Sequence, residues 1–218
     1  MGKVFVQIDG ISVECQEEDR ILEAAVRAGI YIPNLCFLQD QEPPFGACRL
    51  CFVEIRGQGI VTACTERVRN GMVVLTDTPE VLRLRRTAAE LIISAHPADC
   101  RHCTKNRHCE LQKVASYLKV RLKPHRFKQM YRALPLDCSN PFIIVDPNKC
   151  VLCGKCIWIC NERRGVGALN FINRGFATTI STFPELMTEA SCATCMECVD
   201  NCPVGALLPG EGCAVHKE

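Results

Sequence analysis

Apolar residues crowd KVFVQID and alternate with polar ones along ISVECQ, two short β-rich runs divided by Gly10. Two such runs across a glycine predict a β-hairpin. The period then changes. Asp19 opens a stretch in which Ile21, Leu22, Ala25 and Val26 share one helical face, and Gly29 supplies a stop. CFVEIRG, GIVTAC and MVVLTDT return to strand-like composition. Two strands, a helix and returning strands predict an α+β fold of the β-grasp kind over residues 1–78.

Thr78-Pro79-Glu80 combines a capping hydroxyl, a proline for the first turn and an early acid, which predicts a helix start. The helix should run through VLRLRRTAAELIISAH until Pro97, with Val81, Leu84, Ala88, Leu91 and Ala95 as its core face. A second helix is expected over residues 110–120, which makes 79–118 a short helical domain. Residues 119–140, rich in Lys and Arg with two prolines, read as a connector. Residues 141–218 hold two similar cysteine tracts and form a third domain.

Composition adds a constraint. The 218 residues include 18 cysteines. The start, MGKVFVQIDG, lacks the basic and apolar regions of a secretory signal, and no apolar run is long enough for a membrane span. A cytoplasmic location is therefore expected, where clustered thiols are reduced and serve as metal ligands. Net charge is −4 over residues 1–78, +8 over 79–140 and −2 over 141–218. The basic middle has no stacking-aromatic motif beside it, so nucleic acid is not an expected partner. It suits the neighbourhood of anionic thiolate-ligated clusters, or a docking partner.

CVLCGKCIWIC sets Cys150, Cys153, Cys156 and Cys160 at C-x2-C-x2-C-x3-C spacing, and CATCMECVDNCP repeats it with Cys192, Cys195, Cys198 and Cys202. In two-cluster bacterial ferredoxins the fourth cysteine of each run serves the other cluster. Cys150, Cys153, Cys156 and Cys202 are thus expected around one [4Fe–4S] cube, and Cys160, Cys192, Cys195 and Cys198 around another. Structural zinc usually takes separated cysteine pairs instead. Asn161 stands where proline is typical, which leaves the ligands intact.

The N-terminal set is looser. Cys36, Cys48, Cys51 and Cys64 are separated by 11, 2 and 12 residues. Plant-type [2Fe–2S] sites share the pair spaced by two and the distant fourth cysteine, within a similar strand and helix plan. Small residues at Gly46 and Ala47 would let backbone N–H groups approach the sulfurs. A four-cysteine zinc site is the alternative.

Between these sets lies HPADCRHCTKNRHC, residues 96–109. Cys100, Cys103 and Cys109 supply three thiolates, and His96, His102 and His108 are rival fourth ligands. A [4Fe–4S] cluster with one histidine ligand and a zinc site of three cysteines and one histidine both fit. Cys15, Cys138 and Cys213 are left over and are expected to be non-ligands, behaving as small hydrophobes.

The order of these motifs, with ELQ after Cys109 and PFIIVDPNKC leading into the ferredoxin runs, resembles one known assembly over almost the whole chain. It is similar to the N-terminal regions of the large iron–sulfur subunit of respiratory complex I and of [FeFe]-hydrogenases. In length it resembles the small iron–sulfur subunit of the diaphorase module in NAD-linked [NiFe]-hydrogenases. Related subunits occur in NAD-linked formate dehydrogenases and benzoyl-CoA reductase complexes. The resemblance implies one [2Fe–2S] cluster on Cys36, Cys48, Cys51 and Cys64, and three [4Fe–4S] clusters. It implies that His96, with Cys100, Cys103 and Cys109, holds one of the cubes. RHCTKNRHC is more basic than is usual in the family, and Trp158 stands where a basic residue is common.

Only 16 residues follow Cys202, and no P-loop, dinucleotide fingerprint, catalytic triad or carboxylate pair is evident. RRGVGAL is expected to be a turn. An electron-transfer subunit is therefore expected, with a flavoprotein NAD(P)H-dehydrogenase partner, a catalytic metal-containing partner of hydrogenase or formate dehydrogenase type, and ferredoxin as a further partner. A benzoyl-CoA reductase or electron-bifurcating complex is the alternative setting, and a structural zinc module the alternative of another class.

Overall fold

The computed structural model describes residues 2–123, 126–188, 192 and 194–210. Two compact units are present: Met1–Ile92 with Lys113–Arg126, and Ile93–Gln112 with Phe127–Glu218.

The first unit is built on a five-stranded sheet. Strands β1 (Lys3–Ile8) and β2 (Ile11–Gln16) form the expected hairpin, closed in register from Ile8 opposite Ile11. Asp9 and Gly10 take φ of 50° and 84°, the positive values that a two-residue hairpin turn requires. Helix α1 (Ile21–Arg27) follows. It starts after Asp19, whose carboxylate accepts from the Gln16 N–H at 2.6 Å, while Glu23 accepts from the Arg20 N–H at 2.7 Å. Gly29, at φ 72°, ends it as expected. Strands β3 (Phe52–Ile55), β4 (Gly59–Thr62) and β5 (Val73–Leu75) complete a sheet in the order β2-β1-β5-β3-β4, with β5 parallel to β1. Val6, Ile8, Val53 and Val74 of the sheet and Ile21 and Leu22 of α1 form its core. Val26 does not join them: it is 62% exposed. It lies about 140° round the helix from Ile21, and Ala24 takes the buried flank instead.

Helix α2 (Pro79–Ser94) starts where expected, with the Val81 N–H donating to Thr78 Oγ1 at 3.4 Å. Its buried face differs from the expected one. Val81, Arg85, Ala89 and Ile93 are fully buried at four-residue spacing, whereas Leu91 is exposed and Leu84 and Ala88 only half-buried. A charged residue occupies the buried stripe, so hydropathy points to the wrong side of the helix. Helix α3 (Glu110–Leu118) stops at Lys119, whose φ of 54° leaves the helical region.

The second unit has two small antiparallel sheets. Strand β6 (Ile143–Val145) pairs with β9 (Leu207–Pro209), and β7 (Leu169–Ile172) pairs with β8 (Thr179–Thr182). Helix α4 (Lys155–Trp158) runs into one π-helical turn, Ile159–Arg163, and α5 (Glu197–Asp200) lies in the second cysteine run. Gly165 and Gly167, at φ 66° and 71°, make RRGVGAL the expected turn. Residues 127–140 form no helix or strand, yet they are tied down. Asp137 exchanges backbone hydrogen bonds with Val145 at 2.9 and 3.0 Å, and Arg132 donates to the Pro147 carbonyl at 2.5 Å.

Candidate metal centres

In the first unit the β3–β4 register creates a thiol pair. Phe52 lies opposite Thr62, and the Ala63 N–H donates to the Cys51 carbonyl at 2.9 Å, so Cys51 and Cys64 flank the same end of the hairpin. The loop between α1 and β3 adds the others. Cys36 and Cys48 have Sγ atoms 3.4 Å apart, and the Leu35 N–H donates to Cys48 Sγ at 3.4 Å. Gly46 and Arg49, at φ 57° and 55°, turn this loop, and the Ala47 and Cys48 N–H groups reach the Cys36 sulfur. Cys36, Cys51 and Cys64 are each 1% exposed.

These thiols share protons. Hydrogen bonds from Cys48 and then Cys64 hold Cys36 well below the usual thiol range. The Cys64 side chain likewise lowers Cys51, while Cys48 and Cys64, bonded to Cys36, are pushed up. Sulfurs this close are candidate donors for a thiophilic metal group, which would take thiolates in place of the protons.

The second unit holds three further sets. His96, Cys100, Cys103 and Cys109 line one cavity with Gly205. Cys100 begins a short 3-10 turn, and Cys109 directly precedes α3, whose first N–H donates to the Pro203 carbonyl at 2.9 Å. The His96 Nδ1 lies 3.0 Å from the Lys149 carbonyl oxygen. A carbonyl only accepts, so Nδ1 carries the proton and Nε2 keeps its lone pair for a metal, the arrangement common in metal-binding histidines. Burial keeps this imidazole below its ordinary pKa, which favours the neutral ligating form. A Cβ on Gly205 would come within 2.9 Å of Cys103 Sγ, so glycine leaves the sulfur its room. His102 is exposed and bonded to Asp99 at 2.8 Å, and His108 is also exposed; neither lines the cavity.

Cys150, Cys153, Cys156 and Cys202 line a second cavity, and Cys160, Cys192, Cys195 and Cys198 line a third. Each therefore draws its fourth cysteine from the other run. The backbone repeats as the spacing does: Gly154 and Met196 take φ of 78° and 47° at matching positions before α4 and α5. Burial pushes Cys150 up to about 11 and Cys153 and Cys198 up to about 12, so the sites favour a bound cation over free thiolates. The Leu152 N–H donates to Cys150 Sγ at 3.4 Å, Ala168 N–H to Cys160 at 3.2 Å, and Arg164 Nε to Cys195 at 3.2 Å.

Three cysteines are expected to be non-ligands. Cys15 is buried among the sheet residues. Cys138 is disulfide-bonded rather than a free thiol, and Cys213 lies outside the described residues. Sequence reasoning missed Arg85, Arg164 and Gly205. Only Gly205 carried a local signal, as a small residue three positions after Cys202.

Known proteins share this plan. Residues 2–79 match the 2Fe-2S iron-sulfur cluster binding domain. Residues 85–123 match the NADH-ubiquinone oxidoreductase-G iron-sulfur binding region, and 140–208 the NADH-quinone oxidoreductase subunit 3 ferredoxin-like domain. A chain in the crystal structure of an NAD+-reducing [NiFe]-hydrogenase in the H2-reduced state superposes with a TM-score of 0.82 and is 30% identical; the match covers 96% of this chain and 88% of that one. The chain belongs to this family of iron–sulfur electron-transfer subunits. As a member it carries a [2Fe–2S] cluster and [4Fe–4S] clusters. The gamma subunit of the NAD-reducing hydrogenase HoxS from Cupriavidus necator is 29% identical over 94% of this chain and 86% of its own. The NADP-reducing hydrogenase subunit HndD of Solidesulfovibrio fructosivorans is 36% identical over 97% of this subunit, which spans 37% of that relative's length. No helix among the described residues is long and apolar enough to cross a membrane.

Proposed function

We propose that this chain is the iron–sulfur wire of an NAD(P)H-linked oxidoreductase complex of hydrogenase or formate dehydrogenase type. Residues 1–78 hold one [2Fe–2S] cluster in a β-grasp frame, through Cys36, Cys48, Cys51 and Cys64. Residues 79–118 hold a [4Fe–4S] cluster through His96, Cys100, Cys103 and Cys109, and 119–140 connect them to the ferredoxin-type part. There, Cys150, Cys153, Cys156 and Cys202 hold one cube, and Cys160, Cys192, Cys195 and Cys198 hold the other. Bound clusters supply one-electron chemistry, which links a flavoprotein NAD(P)H-dehydrogenase partner to a catalytic metal-containing partner in the cytoplasm. The polypeptide fixes the sulfurs, excludes water from them and directs N–H donors at them.

The observation that carries this reading is the sorting of the cysteines: three cavities among the described residues of the second unit are each lined by one expected ligand set, crossover included. The test is metal content. Anaerobically purified chain should be brown, with about 14 irons and matching labile sulfide. Colourless, zinc-loaded protein overturns the reading. Identifying the chains that co-purify with it tests the partners.

A further inference from the structure

Arg85 is the largest fully buried side chain among the described residues. It lies mid-way along α2 and points into the first unit, where its Nε donates to the Phe52 carbonyl at 2.8 Å. Phe52 directly follows Cys51, so this bond fixes the guanidinium beside the sulfur set. The other two guanidinium nitrogens, Nη1 and Nη2, are buried with no close hydrogen bond among the described residues, and the side chain that acts on the guanidinium as a hydrogen-bond partner is Tyr117. The groups that act on it electrostatically are Tyr117, Cys51 and Asp9. The Asp9 carboxylate accepts from the Thr76 N–H at 2.8 Å and hydroxyl at 2.6 Å, keeps its charge, and forms no ion pair with Arg85 among the described residues. Cys51 is thus the sulfur-side counter-charge.

An arginine does not neutralise itself by losing a proton, and burying its charge without compensation is strongly unfavourable. Among the described residues no anionic side chain pairs directly with this cation, and Asp9 and Cys51 act on it only through space. A [2Fe–2S] group on four thiolates is a dianion when both irons are ferric and a trianion after one-electron reduction. Placed on Cys36, Cys48, Cys51 and Cys64, it provides the missing negative charge.

We infer that Arg85 is the internal counter-ion of the [2Fe–2S] centre, raising its reduction potential and helping to retain it in the first unit. The inference rests on the ligand set proposed above. The cation acts through space on Cys51 and its cluster, in surroundings too dry to screen it. Because the added electron increases the negative charge beside a fixed positive one, reduction is favoured over oxidation.

The test compares Arg85→Gln with Arg85→Lys in the full anaerobic chain, read by EPR-monitored redox titration of the [2Fe–2S] signal. Glutamine can keep a donor for the Phe52 carbonyl but loses the charge, whereas lysine keeps the charge. Arg85→Gln should shift the reduction equilibrium at least tenfold toward the oxidised form, about 59 mV lower for a one-electron couple. Arg85→Lys should stay closer to wild type than Arg85→Gln does. Loss of the signal in Arg85→Gln with retention in Arg85→Lys also supports the inference. An unshifted Arg85→Gln potential overturns it, as does equal shift or equal signal loss in both variants. Wild-type chain with no [2Fe–2S] signal would instead overturn the ligand assignment.

Discussion

The imidazole of His96 and the carbonyl of Lys149 are joined by a 3.0 Å hydrogen bond across 53 residues of chain. Lys149 directly precedes Cys150, so the ring that faces one cavity is steadied by the backbone that opens the first ferredoxin run. Replacing this proposed neutral ligand with an anionic one should make the cluster harder to reduce. His96→Cys should lower the potential of that [4Fe–4S] cluster, as the higher potentials of histidine-ligated Rieske centres imply. His96→Ala should bring the iron content from about 14 to about 10. Redox titration and iron analysis check the two outcomes; an unchanged potential in His96→Cys would remove His96 from the ligand set.

Gly205 bears on the same cavity from the other side. In Gly205→Ala the new methyl would meet Cys103 Sγ at 2.9 Å, closer than carbon and sulfur can sit. Occupancy of the His96 centre should fall, while the [2Fe–2S] signal keeps its wild-type amplitude. Full iron content in Gly205→Ala would show that the backbone yields without consequence.

Arg164 donates to Cys195 Sγ at 3.2 Å and also pairs with Glu197 at 3.1 Å. Arg164→Ala removes a charge-assisted donor from the sulfur, and the potential of the cluster on Cys160, Cys192, Cys195 and Cys198 should fall. The shift should be smaller than that of Arg85→Gln, because solvent screens a surface guanidinium and does not screen a buried one.

The two sides of α1 make a stability test. Leu22 is fully buried, and Leu22→Ala should cost about 2–5 kcal/mol. Val26 is 62% exposed, and Val26→Ser should stay within about 0.5 kcal/mol of wild type. Urea titration followed by far-ultraviolet circular dichroism separates them; equal losses would place Val26 back in the core.

What could be read from the chain followed the range of the interaction. The hairpin at Asp9-Gly10, the stop at Gly29 and the start at Thr78 depend on neighbours a few residues away, and all three appear in the structure. The cysteine runs are equally local, because a cube needs its first three sulfurs within one loop. Beyond the crossed cysteine runs, backbone contacts set at a distance were not legible. Nothing near Ile143 announces Pro209 as its partner, and nothing near His96 announces the Lys149 carbonyl. Arg85 was hidden for another reason. Its burial reverses the usual preference of a charged side chain, so the apolar periodicity of α2 points to Leu84 and Leu91, which the structure leaves at least partly exposed.

Strands β6 and β9 have a consequence for assembly. They run antiparallel with Ile143 against Pro209, Ile144 against Leu208 and Val145 against Leu207, and both ferredoxin cysteine runs lie in the chain between them. Zipping these few residues closes one loop around all eight sulfurs. The cost of closing a loop grows only with the logarithm of its length, so one closure serves both runs at little more cost than a single run would need. Inside that loop Cys202 meets Cys150, and Cys160 meets Cys192, at the raised effective concentration of tethered groups. Opening the zipper at Ile144 would therefore dilute the fourth sulfur of both cubes together, and the pair would be gained or lost as one event.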